Sequence, residues 1–291
     1  MNYIYLISII IGVSMQNVFK KSFTQKTNGG GYYFFGALSS LAAMLFFVIT
    51  SKEFEWNGGF IPYSVGFAVS YGAATVFSTA AVSCGSLSIS SLVISYSLML
   101  PTLYGLVFLN DPISIGLIPG LVLLAVSLLL INAKNDKAPL TFKWVVYVLL
   151  AFLGNGLCSV VQKMQQVKFD GAYKNEFMII ALAIVALLTF VISLVTECKK
   201  DGKAVSSAVV KGYMKSGLVL ALLCGVANGL VNLFVMVLSG LMPVSLMFPL
   251  ISGGGIVLTY IISRLYYKEK LTKTQLIGFL CGTASVILLN I

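Results

Sequence analysis

The chain has 291 residues, of which 58% are hydrophobic and 10% charged, with nineteen basic residues against nine acidic ones and a mean hydropathy of +0.98. A soluble domain of this length carries about 25% charged residues, so an ordinary water-soluble fold is excluded. A bilayer crossing takes about 20 apolar residues, so the length holds roughly ten spans on short loops and leaves no room for a separate soluble domain.

In chain order, apolar segments predict membrane helices at approximately 3–20, 31–50, 61–84, 88–109, 112–132, 144–165, 176–197, 216–240, 243–266 and 273–291. Asn2 to Phe19 has no basic residue ahead of its apolar stretch and no small-residue cleavage site. It therefore reads as the first span and not as a cleaved signal. Trp56 and Trp144 fall at span edges, where indole favours the headgroup layer. Span 9 carries Pro249 and then Gly253-Gly254-Gly255, opposite Ser95-Tyr96-Ser97 of span 4. Proline removes a helix hydrogen bond and each glycine costs roughly 1 kcal/mol relative to alanine. A bendable hinge that exposes carbonyls to a cavity is expected there, with close helix packing as the alternative. Gly116/Gly120 and Gly278/Gly282 are small-xxx-small pairs and read as packing faces.

Charge sets the orientation. The loops after spans 1, 5, 7 and 9 hold Lys20, Lys21, Lys26, Lys134, Lys137, Lys143, Lys199, Lys200, Lys203, Lys211, Lys215, Arg264, Lys268, Lys270 and Lys273. The opposite side keeps Lys52, Lys163, Lys168 and Lys174, beside Glu53, Glu55, Asp170 and Glu176. This positive-inside bias places both termini away from the cytoplasm of a plasma membrane. The net charge of +10 comes from lysines at the ends of apolar runs, so anionic lipid headgroups are the expected partner and nucleic acid is not.

The composition also removes classes of chemistry. The absence of histidine excludes Ser-His hydrolases, His-ligated metals and imidazole relays. Cys84, Cys158, Cys198, Cys224 and Cys281 are far apart with no CxxC spacing, as expected of small thiols without metal or redox duty. No nucleophile–base pair or metal set can be assembled, so neither an enzyme nor a cofactor is expected. The nine acids, among them Asp111, Asp136, Glu197, Asp201 and Glu269, lie at or near loops, and the basic residues lie at span ends. Lys21 and Lys163 are expected to snorkel. The membrane interior is thus expected to hold an uncharged, tyrosine-bearing pocket without a proton-carrying carboxylate.

The first five spans align with the last five. Gly12 to Lys21 lies over Gly154 to Lys163; Tyr71-Gly72 over Asn228-Gly229; and Phe77 over Phe234. The fourth spans of each half end in Asp111 and Glu269, and the fifth carry the two small-xxx-small pairs. Five spans per half is an odd number, so the second half is inverted. The predicted fold is all-α, ten transmembrane helices in two inverted five-helix repeats, 1–137 and 138–291, acting as a monomer. These features resemble the ten-span, EamA-like branch of the drug/metabolite transporter superfamily. The resemblance is carried by the Gly…Lys pattern closing spans 1 and 6, by Asp111…Gly116, and by Glu269…Gly278. Glu269-Lys-Leu-Thr reads like that family's Gly-Glu-Arg-Leu turn, whereas the first half departs with Asn110-Asp111-Pro112. It implies a cavity lined by spans 1, 3, 4, 6, 8 and 9, with spans 5 and 10 peripheral.

Polar side chains inside a membrane are costly unless they pair with one another, with backbone or with a solute. On the implied inner spans they are Gln16, Asn17, Tyr71, Thr75, Ser78, Tyr96, Asn155, Ser159, Asn228, Asn232 and Ser252, the candidate substrate-binding set. Asn228 and Asn232 are four apart and share a helix face, as do Tyr71 and Thr75 at the matching positions. The competing role is interhelical glue at about 0.6 kcal/mol per hydrogen bond. The expectation is a secondary transporter for a small polar or zwitterionic, amino-acid-like metabolite, working by alternating access with facilitated or exchange flux. Two alternatives stay open. One is a carrier for a drug-like cation or a choline-like quaternary-ammonium cation, the latter held on Tyr71, Tyr96 or Tyr104; the other is a channel.

Overall fold

The computed structural model describes residues 2–51, 53–110, 141–200, 204–268 and 271–288, with 115–116, 119–120, 122–123, 126–127 and 130. Most of the fifth predicted span lies outside the described residues, as do Asp111, Asp136, Lys134, Lys137, Asp201, Lys203, Glu269 and Lys270. The described helices are α1 (Asn2–Lys26), α2 (Tyr32–Thr50), α3 (Ile61–Cys84), α4 (Leu87–Ser95), α5 (Met99–Phe108), α6 (Phe142–Lys168), α7 (Lys174–Thr196), α8 (Ser207–Ser239), α9 (Val244–Tyr266) and α10 (Lys273–Leu288). A two-residue antiparallel pairing, Lys199–Lys200 with Ala204–Val205, joins α7 to α8. Seven helical segments among the described residues are long and apolar enough to cross a bilayer: α1, α2, α3, the run from α4 through α5, α6, α7 and α8. The protein is an α-helical, multi-pass membrane protein.

Local chemistry fixes the helix ends. Gly31 adopts φ 79° before α2, a left-handed conformation that costs glycine no Cβ clash. Pro62 stands in the first turn of α3, where its missing N–H costs nothing. Thr141 Oγ1 accepts from Trp144 N at the start of α6. At α10, Thr272 Oγ1 accepts from Gln275 N at 3.2 Å while Gln275 Oε1 accepts from Thr272 N at 3.1 Å, a reciprocal capping box. Trp56 is exposed, as an interfacial indole should be, but Trp144 is buried and donates Nε1–H to Ser90 Oγ at 3.0 Å. The span edge at Trp144 is therefore covered by α4 and not by headgroups.

Apolar side chains such as Ile49, Val69, Leu187 and Val219 face outward, and serines, threonines and glutamines are buried inside. Large apolar side chains such as Phe35, Phe67 and Leu182 are buried as well, so apolar residues lie both inside and outside, as in a bundle whose solvent is lipid. Helices meet where small residues permit. α1 runs antiparallel to α8, with Gly12 against Val231 and Phe23 against Gly217. α3 runs antiparallel to α6, with Gly154 against the Ser70 carbonyl and Gly85 against Trp144. α2 packs on α7 and α8, its backbone at Ser39 meeting Gly225. At one end of the α2–α7 pair the Glu197 carboxylate accepts from Tyr33 N at 3.1 Å and Phe34 N at 2.9 Å, at the positive end of the α2 dipole. Burial nevertheless pushes the Glu197 carboxyl above its usual range, those bonds offsetting the effect only in part.

The Gly278/Gly282 pair is a packing face. Ser127 Oγ donates to the Gly278 carbonyl at 2.6 Å, and Gly282 abuts Tyr96 and Ser127. The two stretches expected to bend differ in backbone geometry. α9 is a continuous helix through Gly253-Gly254-Gly255, with Gly254 packed on Ile10 and the Gly255 carbonyl accepting from Ser14 Oγ at 3.4 Å. The break in α geometry lies instead in the matching stretch of span 4, where a 3-10 turn over Tyr96–Leu98 separates α4 from α5. Such mid-helix 3-10 turns lengthen the helix locally and free carbonyls for other partners.

Candidate functional site

The inner helices carry polar residues at helical spacing within otherwise apolar sequence, and this spacing builds a cavity of about 130 Å³. On α1, Val13, Gln16, Asn17 and Lys20 recur at i, i+3, i+4 and i+7 and so share one face. Asn155, Cys158, Ser159 and Gln162 do the same on α6; Tyr71, Ala74, Thr75 and Ser78 on α3; Asn228, Val231, Asn232 and Val235 on α8. Ser91, Ile94 and Ser95 of α4 face Phe248, Ile251 and Ser252 of α9 across the remaining side. By this measure one water needs about 10–15 Å³, so the space is large enough for a small solute in place of several waters.

Ten of the eleven candidate residues come together here: Gln16, Asn17, Tyr71, Thr75, Ser78, Asn155, Ser159, Asn228, Asn232 and Ser252. A hydrogen-bonded line of amides crosses three helices. Gln162 Nε2 donates to Asn232 Oδ1 at 3.4 Å, Asn232 Nδ2 to the Asn228 carbonyl at 3.0 Å, and Asn228 Nδ2 to Gln16 Oε1 at 3.3 Å. The phenol of Tyr71 faces Thr75 and Asn228, while its ring stacks on Phe67 at 5.4 Å. Asn155 Nδ2 donates to Ser97 Oγ at 2.7 Å, and Ser252 Oγ to the Ser95 carbonyl at 2.9 Å, both next to the 3-10 turn. One acceptor is left over: Asn228 Oδ1 is buried without a hydrogen-bond partner. Such a group carries a desolvation cost of about 1–3 kcal/mol that a bound donor would relieve.

Tyr96 is the exception. It is buried in the packing of α4 against α6, α9 and α10, where its hydroxyl meets Ser127 Oγ at 2.8 Å. Tyr104 stacks on Phe108 at 5.2 Å and does not reach the cavity, so of the three tyrosines considered as a cation cradle only Tyr71 lines it.

Lys20 corrects the expectation of an uncharged pocket. The apolar run of α1 fades at Gln16-Asn17, but the helix continues to Lys26, so Lys20 lies inside it and not in a loop. Its Nζ enters the cavity wall and donates to Ser78 Oγ at 2.8 Å. Among the described residues no carboxylate stands beside it; its neighbours are Ser78 and the Cys224 thiol. Lys21 and Lys163 also do more than reach for headgroups. Lys21 Nζ donates to the Val82 and Gly85 carbonyls at 3.0 Å each, and Lys163 Nζ to the Ser239 carbonyl at 3.0 Å. Gln162 and Ser91 were also missed as cavity residues, although Gln162 sits directly before Lys163 in the repeat alignment, opposite Lys20. Among the described residues no cluster of three metal-ligating side chains occurs, and the five cysteines are free thiols.

No family model matches the sequence, and no curated protein does. A solved structure, described only as the crystal structure of a protein, superposes with a TM-score of 0.62 at 11% identity, covering 97% of this chain and 96% of its own. At that identity the likeness is one of fold over nearly the whole length of both chains.

Proposed function

We propose that the chain is a secondary transporter of the drug/metabolite transporter type, built from two inverted five-helix repeats, 1–137 and 138–291. It would move a small polar, amino-acid-like solute across the plasma membrane by alternating access, with both termini on the non-cytoplasmic side. One observation carries the reading: the cavity lining exchanges pairwise between the halves. The alignment that sets Gly12 over Gly154 sets Val13, Gln16, Asn17 and Lys20 over Asn155, Cys158, Ser159 and Gln162, and all eight line the cavity. Tyr71-Gly72 over Asn228-Gly229 likewise pairs Tyr71, Ala74, Thr75 and Ser78 with Asn228, Val231, Asn232 and Val235. Val82 and Ser239 are equivalent in the same register, and they receive the equivalent lysines Lys21 and Lys163. A site at the interface of inverted halves can be exposed to either side by rocking one half on the other. The glycine stretch of α9 and the 3-10 turn after α4 fall at matching positions and would supply the bending.

A choline-like cation would meet the Lys20 amine, so the cavity favours the amino-acid-like solute over the quaternary-ammonium alternative. The test is uptake into proteoliposomes. A carrier gives saturable uptake and counterflow for a member of an amino-acid panel, with little dependence on a pH gradient. Asn232→Ala and Tyr71→Ala should depress transport while folded protein is retained. Unchanged kinetics in both would remove the site, and unsaturated current would replace the carrier by a channel.

A further inference from the structure

We propose that the cavity has two poles, in which the Lys20 amine binds the solute's carboxylate as an ammonium ion and Asn228 Oδ1 accepts from the solute's amino group. This rests on the transporter reading and assigns the chemistry of its site. The positive pole follows from Lys20, which enters the wall of the cavity with Ser78 as its hydrogen-bond partner and no carboxylate beside it among the described residues. A buried cation is costly unless an anion or several acceptors surround it, and one hydroxyl leaves two of its three N–H donors available to a carboxylate. The acceptor pole follows from Asn228, which is 5% exposed. Its Nδ2 is committed to Gln16 Oε1, and its Oδ1 is buried without a partner. Gln16, which accepts from Asn228 Nδ2, lies one helical turn from Lys20 on the same face of α1, and both Lys20 and Asn228 line the one cavity. A solute with a carboxylate at one end and N–H donors at the other satisfies both. An amine without a carboxylate satisfies only Asn228, and a carboxylic acid without an amine only Lys20.

The experiment is thermal stabilisation of the purified full-length protein by L-alanine, L-serine, L-leucine, L-glutamine and L-phenylalanine. For each, the carboxamide and the N-acetyl derivative are measured alongside. At least one free amino acid should stabilise the wild-type protein, with both derivatives weaker by roughly 10- to 100-fold in apparent affinity, as expected for lost hydrogen bonds to buried or charged groups. Lys20→Gln, which places the residue found at the matching position 162, should abolish the preference for acid over amide. Lys20→Arg should retain that preference, and Asn228→Ala should abolish the penalty for N-acetylation. Should Lys20→Gln fail to fold, the acid–amide comparison on the wild-type protein decides alone. Amides that bind as tightly as acids, or a Lys20→Gln variant that still prefers the acid, overturn the two-pole assignment and leave a transporter of amino-acid-like solutes standing. Stabilisation and uptake by no member of the panel overturn that wider reading instead.

Discussion

Lys163 Nζ donates to the Ser239 carbonyl at 3.0 Å, so a side chain of α6 closes the C-terminal end of α8. Lys21 does the same for α3 through Val82 and Gly85. The last carbonyls of a helix have no intrahelical donor and form the negative end of its dipole, so an ammonium there contributes about 1–2 kcal/mol when partly buried. Lys163→Met and Lys21→Met should each lower stability by about that amount in detergent-solubilised melts. α1 is antiparallel to α8 and carries Lys21 beside the end of α3, so the two caps lie at opposite ends of the bundle. The double variant should therefore lose the sum of the single effects to within about 0.5 kcal/mol. A clearly smaller loss would mean that the caps share partners.

The α3–α6 contact has no slack at Gly154. A Cβ there would sit 2.6 Å from the Ser70 carbonyl oxygen and 2.7 Å from Ala74 N, and backbone cannot swing aside as a flexible side chain can. Gly154→Ala should cost about 1–3 kcal/mol, as overpacking does. Gly212 of α8 has open space around it, and Gly212→Ala should raise stability by up to about 1 kcal/mol through helix propensity alone. Equal effects of the two substitutions would show that α3 and α6 do not approach this closely.

Much of this architecture was legible in the sequence because a polar residue in a membrane helix must find an inner face. Asn228/Asn232 and Tyr71/Thr75 share faces by spacing alone, and both pairs line the cavity. Lys20 was not legible. Gln16 to Lys21 ends the apolar run, so hydropathy closes the span there, whereas Lys26 ends the helix. What brings Lys20 inward is the packing of α1 along α3 and α8, a tertiary fact absent from any local window. Tyr96 lies away from the cavity for the converse reason. Its direction is set by a 3-10 turn and by Ser127, thirty-one positions away, and neither is visible in the spacing of span 4.

The two tyrosines should consequently part company when their hydroxyls are removed. Tyr96→Phe breaks a bond to Ser127, which still donates to Gly278, so the cost should be about 1 kcal/mol of stability with unchanged transport kinetics. Tyr71→Phe removes a phenol that faces Thr75 and Asn228 in the cavity wall, and it should raise the KM for uptake with little change in melting temperature. Parallel melting and uptake curves on both variants read the distinction. A KM shift in Tyr96→Phe would place that side chain back in the site.

Glu197 makes the stability of the α2–α7 pair dependent on pH. Burial pushes its carboxyl above the ordinary value of 4.5, the bonds from Phe34 N and Tyr33 N offsetting this only in part. An acid whose folded-state value is raised holds its proton more tightly folded than unfolded, so ∂ΔG/∂pH is negative between the two values. Its contribution to stability is therefore full below about pH 4.5 and declines as pH rises from there through the raised folded value. Glu197→Gln keeps one acceptor for the α2 amides and has nothing to titrate. Melting temperatures of the two proteins measured from pH 4 to pH 8 should give a difference curve in which the wild-type protein loses ground with rising pH. The other acids are common to both proteins and cancel in that difference. A flat difference curve would show that the two amide bonds cancel the effect of burial, and one rising in favour of the wild-type protein would show that they outweigh it.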